Sequence, residues 1–150
     1  MPLFRRRASE PEALIFTVGV SDHRVVVGGE DPGCRLLDDI DQYEVFMLQR
    51  QAPAGGRDSV GMLNAKLDYA ELVDTTVAVL VLTFEELVDR GLMSQDEVPE
   101  KPAASALRRD LATYDYIQDA YTRACRRCEW VRAVDVQLRQ HGVSVLWPQT

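Results

Sequence analysis

Cys125 and Cys128 stand at the Cys-x-x-Cys spacing of a dithiol, or of half a zinc site. A redox dithiol gains thiolate character when its first cysteine opens a helix, beside the positive end of the dipole. Here the surrounding periodicity places both cysteines deep inside a helix, and Arg126 and Arg127 fall on other faces. The chain also lacks an aromatic residue directly before Cys125 and the strand–helix alternation of a redox fold. Zinc is better served by geometry, because residues three apart share a helical face and both sulfurs can reach one ion. Two further ligands are then needed. His141 lies about 20 Å beyond Cys128 along a helix, too far to share the site. Cys34 and His23 remain, and a Cys34–Cys125–Cys128–His23 site forms only if the segment carrying them packs over the middle of the last helix. The plainer reading makes Cys128 a small seam residue with Cys125 at its flank, and requires no cofactor.

No other residues have catalytic spacing. His23 and His141 have no evident serine or acid partner, so a triad is unsupported. Asp38, Asp39, Asp41 and Glu44 form an acidic cluster without the glycine and spacing of a calcium loop. Gly28–Gly33 has glycines but neither the lysine nor the Ser/Thr of a phosphate loop, and reads as a connector. An active site gathered from distant segments would leave no spacing to detect. Binding residues are easier to name. Trp130 falls beside Arg123 and Arg126, and Arg126, four residues earlier, can lie over the indole. Exposed tryptophan beside arginine is a composition favoured in binding hot spots; the alternative is that the fold covers it. Tyr114, Tyr121 and Val131 lie on the neighbouring apolar seam.

The elements that position these residues are legible from periodicity. Leu14, Phe16, Val18 and Val20 alternate with smaller or more polar residues, and Val25–Val27 follows a short turn, so residues 13–27 read as a β-hairpin. Asp31-Pro32 suits a helix start. Leu36, Ile40, Tyr43 and Met47 then favour a short amphipathic helix to about Arg50, although Tyr43–Arg50 also has the composition of a strand. A stripe from Leu63 to Leu87 with steps of three and four predicts a long helix over 58–90, stopped at Gly91. Ser94-x-x-Glu97 has the form of a capping box. Leu107, Leu111, Tyr114, Ile117, Tyr121, Ala124, Cys128, Val131 and Leu138 predict a second long helix over 104–141. The connection over 91–103 is short, which predicts antiparallel neighbours. Val143–Trp147 alternates again and suits a terminal strand that joins the hairpin.

The totals fit a single domain over 13–150 behind a charged tail, residues 1–12. Apolar residues form 46% of the chain, yet no run approaches the roughly 18–20 residues of a membrane span. Three cysteines suggest no disulfide framework, and no secretory signal is visible, so a cytoplasmic location is expected. The net charge of −7 disfavours general nucleic-acid binding, Arg5–Arg7 notwithstanding. The expected fold class is α+β, mainly helical: an N-terminal β-hairpin, extended by a C-terminal strand, packed with a short helix and a long antiparallel helical hairpin. Such long stripes look too large for one chain to hide. The expected function is therefore a non-catalytic protein–protein interaction protein: an assembly factor, adaptor or homo-oligomer subunit that acts through the long helical hairpin, with a protein partner or a second copy of itself. The alternative is a metal-binding or thiol-dependent regulator using Cys125 and Cys128.

Overall fold

The computed structural model describes residues 13–20, 22–53, 55–103 and 107–147; the charged tail over 1–12 lies outside them. The chain is α+β and mainly helical. Strands β1 (Leu14–Val18), β2 (His23–Val27), β3 (Gly33–Cys34) and β4 (Val143–Leu146) form one sheet in the order β1-β2-β4-β3. The helices are α1 (Leu36–Gln49), α2 (Val60–Asp89) and α3 (Tyr114–Gln140). Among the described residues, no helix is long and apolar enough to cross a membrane.

The hairpin forms as its alternation predicts. β1 pairs antiparallel with β2, Phe16 opposite Val25, and those two residues and Val18 turn their side chains into the core. The C-terminal strand joins it, β4 pairing antiparallel with β2. β3 is the surprise, because the glycine connector supplies a fourth strand, parallel to β4. Asp31 is consequently no helix cap. It takes a positive φ of 59°, Arg35 donates its N–H to the Val145 carbonyl, and α1 starts only at Leu36. Sheet pairing has captured the residues that a local reading assigns to the helix start. Across Tyr43–Arg50 the helix prevails over the strand alternative through Gln49, because Leu36, Ile40 and Met47 share a buried face.

α2 is bounded by local chemistry. Ser59 Oγ accepts the Met62 N–H at 3.1 Å. At its far end Gly91 takes φ +72°, and the N–H groups of Gly91 and Leu92 donate to the carbonyls of Val88 and Leu87. That is a Schellman closure, the stop that glycine permits. The capping box at Ser94 and Glu97 is present, serving one short 3-10 turn over Gln95–Glu97.

α3 departs from expectation in two ways. It begins at Tyr114, where Thr113 Oγ1 accepts the Tyr116 N–H, so Leu107 and Leu111 belong to the connection and Leu111 is largely exposed. It also runs parallel to α2. Lys66 bonds Gln118, Tyr69 meets Tyr121, and Asp74 pairs with Arg127, so both helices advance together. The connection, longer than the 91–103 expected, runs back along α3. Glu97 meets His141, Glu100 meets Trp130, Ala103 meets Arg127, and Arg108 meets Tyr116. A helix of 27 residues is about 40 Å long, which roughly a dozen extended residues can span. The antiparallel helix pair is instead α1 with α2, where Glu44 meets Tyr69 and Met47 and Met62 line one groove.

The parallel packing also settles the fate of the stripes. Ile117, Ala124, Cys128, Val131, Val134 and Leu138 are all buried within this one chain. α2 is central, with buried residues on several faces, as its near-continuous apolar sequence allows. The expectation that the stripes exceed what one chain can cover is therefore corrected: α1, the sheet and the returning connection enclose them.

Candidate functional site

The predicted interaction residues do not converge on one surface. Val131 is fully buried core. Tyr121 is half-buried against Tyr69, with ring centroids 5.5 Å apart, and the Lys66 ammonium sits 4.8 Å over its ring. Burial first, then the adjacent Cys125, pushes the Tyr121 hydroxyl up to about 12. Tyr114 is half-buried beneath the Arg57 guanidinium, and its hydroxyl accepts the Asp58 N–H at 3.3 Å. Trp130 is half-buried, and its Nε1–H donates to the Glu100 carbonyl at 2.8 Å. The connection covers it, and no contact of Arg126 over the indole occurs among the cation–π pairs of the described residues. Arg123 and Arg126 are exposed.

The thiol candidates are likewise dispersed. Cys34 and Cys128 are buried and Cys125 partly so, all three as free thiols. Burial raises the Cys34 thiol to about 12 and also lifts Cys128. Both shifts disfavour the thiolate that metal binding and redox chemistry need. Cys34 is anchored two helical turns beyond Cys128, its N–H donating to Asp135 Oδ1 at 2.6 Å. His23, which the reading of a short turn before Val25 would leave outside the strands, is buried in β2, where Nδ1–H donates to the Val20 carbonyl at 2.5 Å. Among the described residues, no group of three or more His, Cys, Asp or Glu side chains is placed to hold a metal ion.

A polar cluster absent from the sequence reading ties the start of α2 to the start of α3. Lys66 Nζ donates to Asp58 Oδ2 at 2.6 Å and to Gln118 Oε1 at 2.7 Å, and Gln118 Nε2 donates to the same Asp58 oxygen. The hydrogen bonds from Lys66 and Gln118 hold the Asp58 carboxyl below its ordinary range. The cluster is closed on itself, with each charge matched, and functions as a structural clasp. Only the scarcity of lysine singles out Lys66 in the sequence; its partners lie 8 and 52 residues away.

The surface that is left unmatched is at the sheet edge. β1 has β2 on one side and, among the described residues, no strand on the other. Leu14 is 43% exposed and Ile15 57%. Ala13–Val20 carries no charged residue and no proline. Beside the strand's end, Thr17, Val18 and Gly19 border a shallow groove with Leu82, Glu85, Glu86 and Asp89 of α2. Leu82 in turn belongs to a second groove, where Val77, Ala78 and Val81 are flanked by Asp74, Lys101 and Arg127. Edge strands ordinarily carry charge, proline or a bulge that prevents pairing with another chain, and β1 has no charge or proline over Leu14–Val18.

Compared with known protein families, curated proteins and solved structures, the chain matches none.

Proposed function

We propose that this is a non-catalytic protein–protein interaction protein, an assembly factor, adaptor or oligomer subunit, that associates through the β1 edge, with a second copy of itself as the partner. The observation that carries this reading is the uncharged, exposed edge strand Leu14–Val18. An open edge presents a row of unpaired N–H and C=O groups, the substrate of strand addition. Charge favours a second copy. Two chains of net charge −7 repel each other over most surfaces, whereas the Leu14–Val18 strands themselves carry no charge; the acids Glu85, Glu86 and Asp89 of α2 beside the strand's end make the pairing salt-dependent. Such a pairing is self-complementary under a two-fold axis. It merges two sheets of four strands and covers Ile15 with its counterpart's side chains. A strand pair alone buries less than the roughly 1,200 Å² of a stable interface, so the apolar face around Leu82 contributes and the affinity is moderate.

The test is solution mass against concentration. The wild type approaches twice 16.9 kDa as concentration rises, and Ile15→Lys stays at 16.9 kDa with an unchanged circular dichroism spectrum. A wild type that is monomeric throughout, or an Ile15→Lys variant of undiminished mass, defeats the reading.

A further inference from the structure

α1 carries a second stripe besides its core face. Asp39, Tyr43 and Phe46 follow at helical steps, and with Gln42, Leu72 of α2 and Trp147 they line an open groove of about 480 Å³. Tyr43, Phe46 and Trp147 are each half-buried, so their rings are held in place yet still reach the groove. Trp147 is backed by the buried His23 ring, centroids 4.5 Å apart. Arg50, which does not line the groove, lies over the Phe46 ring at 4.1 Å. Tyr43 and Trp147 are therefore the principal open walls.

The charges around this groove are unevenly matched. Arg109 takes Asp68 and Glu71, and Arg132 takes Asp41 and Glu44. Asp39 lines the groove without an ion-pair or hydrogen-bond partner among the described residues. Burial first, then the charges of Asp68 and Asp39 against the opposing charge of Arg109, raises the Tyr43 hydroxyl above the ordinary range.

Aromatic faces attract cations through their quadrupoles, and the attraction is best for cations with weakly held water. A metal ion would ask for several oxygen ligands, and one carboxylate cannot supply them. An alkylated ammonium asks for aromatic surface and one counter-charge, and Tyr43, Phe46, Trp147 and Asp39 line the groove together. We propose that this groove binds an alkylated ammonium group, with Tyr43 and Trp147 as the main walls, Phe46 completing them, and Asp39 as the counter-charge. The group can belong to a small quaternary ammonium compound or to a methylated lysine of a partner protein. The chemistry at the groove is the same in both cases.

Tryptophan emission of the full chain, titrated with tetramethylammonium chloride against sodium chloride of equal ionic strength, tests it. The expected result is a saturable change that neutral neopentyl alcohol does not reproduce. Asp39→Asn, a change at a partly exposed position, weakens the binding about threefold or more, as loss of a cation's counter-charge requires. Tyr43→Leu weakens it further, and Ile15→Lys leaves it unchanged, so failure here is separate from failure of the edge-pairing proposal. Choline and a trimethyllysine peptide distinguish the sources. Tighter binding of the peptide than of its unmodified form assigns the group to a protein partner, and choline binding as tight as the peptide assigns it to a small molecule. An equal response to neopentyl alcohol, no saturable response, or an Asp39→Asn variant that binds as well as wild type overturns the assignment.

Discussion

The two edges of the sheet are built by opposite means. At the β3 edge the strand is two residues long and sealed. Asp135 of α3 accepts the Cys34 N–H with one oxygen and holds Arg139 with the other. Gly33 takes φ +132°, and a Cβ there would meet the Arg139 guanidinium at 2.9 Å and Asp135 Oδ1 at 3.0 Å. At the β1 edge the five-residue strand leaves Leu14 and Ile15 exposed and carries no charge of its own to deter a partner. One edge is closed by hydrogen bonds and an ion pair from the buried Asp135; the other, among the described residues, has no neighbouring strand. An edge-closing device therefore exists in this molecule, and β1 is where it is not used.

Substitutions at the two edges should separate stability from association. The largest loss of stability is expected for Gly33→Val, which forces a branched side chain into a positive-φ backbone and against the buried Asp135 carboxylate. By the usual scale of strained backbone and overpacking it costs about 3 kcal/mol or more in denaturant unfolding. Asp135→Ala follows at roughly 2–3 kcal/mol, because it orphans the buried Cys34 N–H and frees Arg139. Ile15→Lys, at the open edge, changes monomer stability by no more than about 0.5 kcal/mol while removing association. If Ile15→Lys unfolds the chain as readily as Asp135→Ala, then Ile15 is part of a packed interior and the contrast between the edges is wrong.

The smallest effect concerns pH at the turn that leads into β4. His141 Nε2 meets Glu97 Oε2 at 2.7 Å, and its Nδ1 lies 3.0 Å from the Gln137 carbonyl. The Gln137 carbonyl first and Glu97 second raise the His141 pKa above 6.5, so its contribution is full below that value and fades as pH rises through the folded pKa. Glu97 is shifted the other way, below 4.5, chiefly by the His141 hydrogen bond. Its contribution is present above 4.5 and fades as pH falls through the folded value. The wild type should therefore gain most from this pair between about 4.5 and 6.5. In thermal melts across pH, His141→Gln should lose that gain and leave the difference between sealed and open edges untouched.

Much of the architecture was open to inspection in the order of residues. Alternation in Leu14–Val18 and Val143–Leu146 marks strands, and steps of three and four mark the helices. Gly91 and Ser94 mark boundaries through geometries that act within a few residues, whereas the caps at Ser59 and Thr113 escape a reading by periodicity, which starts the last helix at 104. β3 escaped because two residues have no period, and its existence depends on a strand more than a hundred residues away. The interaction face assigned to Trp130 failed to form as one surface because the chain itself returns to cover that tryptophan. Of the Asp39–Tyr43–Phe46 groove only Asp39 stands out in the sequence, in an acidic cluster; Tyr43 reads as part of the core stripe, and the opposite wall, Leu72 and Trp147, comes from distant segments.

Local order in this chain follows from short-range rules: which side chains fit a strand or helix, where a cap or glycine stops it, and how much apolar surface each element must hide. Those rules act between neighbours and need no knowledge of the fold. The direction of α3 relative to α2, the joining of β3, the covering of Trp130 and the exposure of β1 depend on how the chain closes over its own core. Many paths for the 90–113 connection satisfy the local rules equally, and the choice among them is made by simultaneous packing of α1, α2, α3 and the sheet, where burial of one face determines which other face is left to solvent.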